Sequence, residues 1–204
     1  MAQVPSRLLK TVRLLAVGAI LGLGAAWAVH LWAPADMGTK VATAAIGGPF
    51  ELVDQAGRTR TQADLNGKFA LIYFGYTFCP DACPMALVAM AEALDQIGPL
   101  AARVQPVFVT VDPERDTVAQ MAAYVAAVDE RLWGLTGSAA QVAQAAKAYR
   151  VFFRKATPQG GGEYLVDHTS LVYLMGPDGA YRAHFTHETT PERMAEILRK
   201  TVGG

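Results

Sequence analysis

The chain has 204 residues, with 18 Lys+Arg balanced by 18 Asp+Glu and 52% hydrophobic residues. That length suits one domain of ordinary size plus an appendage. The even charge balance argues against a nucleic-acid or acidic partner recognised through bulk charge.

Much of the hydrophobic excess lies near the N-terminus. Residues 14–32 hold no charged side chain apart from the titratable His30, which is close to the roughly 20 residues a membrane-spanning helix needs. Arg7, Lys10 and Arg13 precede the run, and the first acidic residue is Asp36. The positive-inside rule therefore predicts a cytoplasmic N-terminus and an exported remainder. Trp27 and Trp32 lie toward the far interface, where aromatic residues are favoured. The rival is a cleaved signal peptide ending at Ala42-Thr43-Ala44. The apolar run exceeds the about 7–15 residues of a signal h-region, and the small-residue site lies well beyond its end. The expected organisation is a cytoplasmic basic segment (1–13), a transmembrane signal anchor (14–32), a linker (33–45) and a folded domain (46–204). The short basic start and Ala-rich composition favour a bacterial inner membrane, crossed once, with the folded domain in the periplasm.

The folded part opens with a lone strand or a hairpin: an alternating strand, Phe50 to Asp54, then a turn at Gln55-Ala56-Gly57. Asn66-Gly67 marks another turn. The continuous apolar run from Phe69 to Tyr76 predicts a strand buried on both faces. A helix follows with Leu87, Met90, Ala91, Leu94 and Ile97 on one face, and Gly98-Pro99 stops it. Val104 to Val111 is a second buried strand. The next helix starts at Thr117 and buries Met121, Tyr124, Val125 and Val128. A short strand is expected at Leu132 to Leu135, then a helix opened by the capping pair Ser138/Gln141 and running to about Tyr149. Gln159-Gly160-Gly161-Gly162 reads as an exposed loop. Leu171 to Met175 and Ala180 to Phe185 form a hairpin around Gly176-Pro177-Asp178-Gly179. Thr190-Pro191 opens a final helix with Met194, Ile197 and Leu198 inward. The order predicts an α/β fold with a central mixed sheet flanked by helices, of thioredoxin-like type, preceded by the transmembrane helix.

The two cysteines of the chain, Cys79 and Cys83, are separated by three residues between the first buried strand and its helix. A helix N-terminus favours thiolate over thiol. Three roles compete. A structural disulfide across so short a loop contributes only roughly 2 kcal/mol. A redox-active disulfide is the second, although such pairs are normally spaced C-x-x-C. Metal binding is the third, since thiolates select soft ions and histidine is the natural added ligand. An exported domain meets oxidising surroundings, so metal binding would also require a thiol reductant.

Ligands of open α/β sheets gather beyond the carboxyl ends of parallel strands. Cys79, Cys83 and Asp112 all follow such strands. His168 precedes the Leu171 strand; if that strand runs antiparallel, His168 arrives at the same edge. Two thiolates and one imidazole suit Cu(I), and an added weak ligand suits Cu(II). Zinc would ask for a fourth ligand. The expected metal ligands are Cys79, Cys83 and His168, holding one copper per chain. Asp112 and Asp167 are candidates for hydrogen-bonding support behind them, with turn formation before Pro113 the alternative for Asp112. Asp81 reads as a solvated turn residue, and His184 and His187 as surface histidines with metal binding as their alternative.

The stretches Phe74-Gly75-Tyr76-Thr77-Phe78-Cys79-Pro80-Asp81-Ala82-Cys83-Pro84, Val111-Asp112-Pro113-Glu114-Arg115-Asp116-Thr117 and Val166-Asp167-His168-Thr169-Ser170 resemble the Sco/SenC family. The resemblance runs from about Gly47 to the C-terminus. It implies a thioredoxin-like fold and a copper site made by Cys79, Cys83 and His168. It also implies assistance to the binuclear copper A centre of cytochrome c oxidase subunit II, by copper delivery or by reduction of that subunit's cysteines. Further partners would be another copper chaperone or a thiol reductant. A thiol:disulfide oxidoreductase and a redox or copper sensor remain the alternatives.

Overall fold

The computed structural model describes residues 46–156 and 163–204, together with Leu23, Gly24 and Trp27. The chain divides into two units, Met1–Thr43 and Ala44–Gly204. In the first, the three described residues are helical. The rest of the expected anchor (14–32), the basic segment (1–13), the linker (33–45) and the rival cleavage site lie outside the described residues, as does the expected loop at 159–162.

The second unit runs β1 (Glu51–Asp54), β2 (Thr59–Thr61), a 3-10 turn (Gln62–Leu65), β3 (Phe69–Gly75), α1 (Ala82–Ile97), a second 3-10 turn (Gly98–Arg103), β4 (Val104–Thr110), α2 (Val118–Val128), β5 (Trp133–Thr136), α3 (Ala139–Ala148), β6 (Phe153–Ala156), β7 (Leu165–His168), β8 (Val172–Met175), β9 (Tyr181–Phe185) and α4 (Pro191–Val202). Seven strands form one mixed sheet in the order β2-β1-β5-β4-β3-β8-β9. Within it β3 pairs in parallel with β4, and β4 with β5. On the other side of β3, β8 runs antiparallel, with Tyr73 opposite Val172. This is the arrangement that brings the start of β8 to the same edge as the end of β3.

Both central strands are buried at every position, because helices cover both faces. Alternation along β3 shows it directly. Tyr73 points to one face, where it stacks with Phe108 at 6.4 Å; Phe74 points to the other and meets Tyr149 at 5.4 Å. The helix starts follow from local chemistry. Thr117 caps α2 by accepting the Gln120 N–H, Ser138 and Gln141 cap α3 reciprocally, and Thr190 caps α4 ahead of Pro191. Along α1 the buried face comprises Cys83, Leu87, Met90, Ala93, Leu94 and Ile97. Ala91, expected on that face, is only half-buried, and Ala93 takes its place.

Two short features were not anticipated from sequence. One is the 3-10 turn (Gln62–Leu65) that follows the β1/β2 hairpin. The other is a separate two-stranded sheet, β6 with β7, in which Phe153 pairs with His168 and Arg154 with Asp167. These strands are short and carry Arg154, Lys155 and Asp167 on exposed positions, so neither periodicity nor apolar content announces them.

Gly75 ends β3 against the first turn of α1. A Cβ there would lie 2.8 Å from the Cys83 sulfur and 2.9 Å from Phe108. Gly75→Ala should therefore cost about 1–3 kcal/mol by overpacking and push α1 outward. Urea unfolding of the soluble domain checks this; a variant as stable as the parent would show that the contact relaxes freely.

Candidate metal centre

Cys79 lies in the turn between β3 and α1, its N–H donating to the Tyr76 carbonyl at 3.2 Å. Cys83 is in the first turn of α1 and fully buried, whereas Cys79 is half-buried. The N-cap residue Asp81 is exposed and makes no side-chain capping bond. The Cys79 sulfur performs part of that role, accepting the Cys83 N–H at 3.4 Å. A free helix N–H group aimed at sulfur favours its thiolate form.

His168 ends β7 and enters from the opposite side. Its Nε2 lies 3.4 Å from the Cys83 sulfur. Its Nδ1 is 3.2 Å from the Thr169 carbonyl oxygen, which can only accept, so Nδ1 carries a proton and Nε2 is the ring nitrogen that faces the sulfurs. The imidazole is held edge-on against Tyr73 and Tyr76, with centroids 6.0 and 5.9 Å away. The donor atoms of Cys79, Cys83 and His168 all lie within 4.8 Å of one another. Among the described residues, they are the group of His, Cys, Asp or Glu side chains so gathered.

The two thiols are unequal. Hydrogen bonding from Cys83 is the largest influence on Cys79, and with His168 and the Asp81 and Cys83 N–H groups it outweighs burial; the Cys79 pKa falls to about 3. Cys83 moves the opposite way, because it donates to the Cys79 thiolate and is deeply buried. The Tyr73 hydroxyl, 3.9 Å from the Cys83 sulfur, is also held protonated, by burial first and then by the neighbouring sulfur charge.

The cysteine turn is anchored by a residue that the sequence did not single out. Asp116 is fully buried, and its carboxyl group accepts from the Thr77 N–H (3.1 Å), the Thr77 hydroxyl (2.6 Å) and the Thr110 hydroxyl (2.6 Å). Burial raises its pKa, partly offset by those hydrogen bonds. In the sequence Asp116 stands just before the cap Thr117 and looks like ordinary helix-start chemistry.

The remaining sequence candidates are placed elsewhere. Asp112 is fully buried at the end of β4, but its carboxylate receives the Tyr164 hydroxyl at 2.8 Å and the Arg115 Nε at 2.5 Å, and hydrogen-bonds to none of Cys79, Cys83 and His168. Asp167 is exposed and pairs with Arg154 at 3.0 Å. Neighbouring strand residues point to opposite faces, so Asp167 turns away where His168 turns in. His184 is exposed beside Tyr181. His187 lines a groove of about 480 Å³ bounded by Pro84, Met85, Val88 and Phe185, and is not gathered with Cys79, Cys83 and His168.

A family model described as SCO1/SenC matches residues 38–203. The chain belongs to the SCO1/SenC family. A Bos taurus protein named "Protein SCO2 homolog, mitochondrial" is 41% identical over 188 residues, covering 88% of this chain and 70% of that one. The structure of Bradyrhizobium japonicum ScoI with copper bound is similar at 46% identity and a TM-score of 0.70, covering 76% of this chain and 99% of that one. The crystal structure of yeast Sco1 with copper bound is similar at 34% identity and a TM-score of 0.73, covering 78% and 90%. The mixed α/β sheet flanked by helices is thus the architecture of SCO1/SenC proteins of known structure.

The inequality of the thiols has a direct chemical readout. In the reduced, metal-free domain, iodoacetamide should modify Cys79 well before Cys83, at a rate nearly constant between about pH 5 and about pH 8. The sign follows from a folded pKa below that of the unfolded thiol. The thiolate's contribution to stability is complete above the unfolded value and is lost as pH falls toward about 3. Peptide mapping after timed alkylation checks the order; equal labelling of both sulfurs would contradict it.

Proposed function

We propose that this SCO1/SenC protein binds one copper ion through the Cys79 and Cys83 sulfurs and His168 Nε2, and uses it in assembly of the copper A centre of cytochrome c oxidase subunit II. The observation that carries the reading is the convergence of those three donor atoms within 4.8 Å, in a chain whose relatives include structures with copper bound. The donor set fits the cargo. Two sulfurs and one imidazole are soft enough for Cu(I), and the nitrogen admits Cu(II).

A second reading draws on the unequal thiols. A low-pKa, half-exposed sulfur beside a buried, protonated one is the arrangement of a nucleophile and its resolving partner. Cys79 attacks a partner disulfide, Cys83 closes on the mixed disulfide, and two electrons pass to the partner as it becomes a dithiol. Reduction of the cysteines of subunit II would prepare that subunit for copper. Copper binding and thiol exchange use the same atoms, so oxidation to the disulfide switches off both until a thiol reductant restores the pair.

The folded domain is assigned to residues 46–204 and to the periplasmic side of a bacterial inner membrane. A single anchor at 14–32 is supported by its apolar length and the basic flank Arg7, Lys10 and Arg13. Carbonate washing should leave the full chain in the membrane pellet, and release with a new N-terminus near Ala45 would reject the anchor.

Softness of the ligands separates their roles. The reduced domain should take up one copper per chain and the disulfide form far less. His168→Ala should keep Cu(I), which two thiolates hold in near-linear geometry, and lose most stable Cu(II) binding. Cys79→Ala or Cys83→Ala should lose both. Metal analysis with Cu(II) absorption and paramagnetic resonance reads this out; an unchanged Cu(II) spectrum in His168→Ala would remove His168 from the site.

A further inference from the structure

The two sulfurs and the imidazole reach the site on separate pieces of backbone. Cys79 and Cys83 belong to the turn and helix after β3, while His168 closes the β6/β7 hairpin, which is hydrogen-bonded as its own sheet. Something must fix one piece against the other, and Arg115 stands between them. Its guanidinium carbon lies 3.8 Å from the Tyr164 ring centroid, 4.8 Å from that of Phe78 and 5.7 Å from that of Tyr76. Phe78 adjoins Cys79, Tyr76 touches the His168 imidazole edge-on, and Tyr164 immediately precedes β7. The Arg115 side chain is only 15% exposed, and its Nε donates to the fully buried carboxylate of Asp112. The other oxygen of Asp112 receives the Tyr164 hydroxyl at 2.8 Å.

We propose that Arg115 is a positioning residue for the metal site, a planar strut that locks the His168 hairpin onto the cysteine turn. The proposal rests on the copper-binding reading above and adds to it the residue that registers its two halves. A guanidinium suits the place because it offers a flat face to an aromatic ring while its edge donates to a carboxylate. The hairpin's other ties to this loop are weaker. Lys155 of β6 pairs with Glu114 at 2.6 Å, and Arg115 reaches Glu163 at 3.8 Å. In the first pair both partners are exposed, and in the second Glu163 is 79% exposed; such pairs contribute little. Lys155 also lies over the Tyr164 ring, at 4.6 Å, but its ammonium is a hydrated point charge rather than a plane. Loss of Arg115 therefore loosens the hairpin that carries His168, which keeps the burial of Val166 and the Tyr73 and Tyr76 ring contacts, and leaves the two sulfurs where they are, since Asp116 holds their turn independently.

The test uses the reduced full-length chain in detergent, first without metal and then with Cu(I) or Cu(II). In metal-free Arg115→Ala, amide exchange across β7 should accelerate at least about tenfold while β3 keeps its protection. One Cu(I) per chain should remain, Cu(II) affinity should fall about ten- to a hundredfold, and the Cu(II) paramagnetic resonance should move toward that of His168→Ala. Arg115→Lys keeps the charge without the plane and should resemble Arg115→Ala in the spectrum. Tyr164→Ala cuts the strut at its hairpin end and should give the same selective Cu(II) loss, which keeps the test open should Arg115→Ala not fold. Unchanged hairpin exchange with a parental Cu(II) spectrum, equal loss of Cu(I) and Cu(II), or full rescue by Lys would each overturn the proposal. Failure of the parent chain to bind copper would instead overturn the functional reading, and the metal-free exchange measurement would still report on the strut.

Discussion

The site depends first on a buried carboxyl group that hydrogen-bonds to none of Cys79, Cys83 and His168. Asp116 takes three hydrogen bonds, two of them from Thr77, and so ties the cysteine turn to the end of β4. An isolated buried carboxylate is costly, whereas one met by several donors is tolerable and rigid. The same Thr110 hydroxyl that donates to Asp116 accepts the Asp112 N–H at 2.8 Å. Asp112 in turn holds Tyr164 and Arg115. One short loop after β4 thus grips the cysteine turn with one acid and the start of β7 with the other.

That arrangement explains how a turn can be both reactive and fixed. In the proposed role Cys79 needs exposure to exchange a metal ion or a disulfide with a partner, and exposed turns are ordinarily loose. Here the turn is pinned by Thr77 behind it and by the Cys83 N–H donating to its sulfur. Cys83 is set by the packing of α1 on β3, where the absence of a side chain at Gly75 lets the helix approach. The negative sulfur faces outward and the protonated one inward, which suits both ion transfer and thiol exchange.

Much of the sheet was legible in the sequence because its strands are long apolar runs and its helices carry strong caps. The capping pair Ser138/Gln141, the Thr190-Pro191 start and the 176–179 turn each act within a few residues, and local chemistry of that kind survives folding unchanged. The meeting of Cys79, Cys83 and His168 was legible for a different reason. An antiparallel β8 beside β3 can deliver its preceding residues only to the edge where β3 ends. The β6/β7 hairpin was not legible, since four-residue charged strands carry no period. Arg115 and Asp116 escaped notice because their roles depend on partners far along the chain, Tyr164 for one and Thr77 for the other. Asp167 shows the converse: next to His168 in sequence, it is exposed and pairs with Arg154 on the opposite face of the strand.

The central claim is that two sulfurs and one imidazole nitrogen of this chain converge on a single ion. X-ray absorption of the reduced domain loaded with one equivalent of Cu(I), and again with Cu(II), tests it most directly. The account predicts two sulfur scatterers and one imidazole in the Cu(II) form, and two sulfurs retained in the Cu(I) form. A first shell with one sulfur or none, or one with several imidazoles, would contradict it.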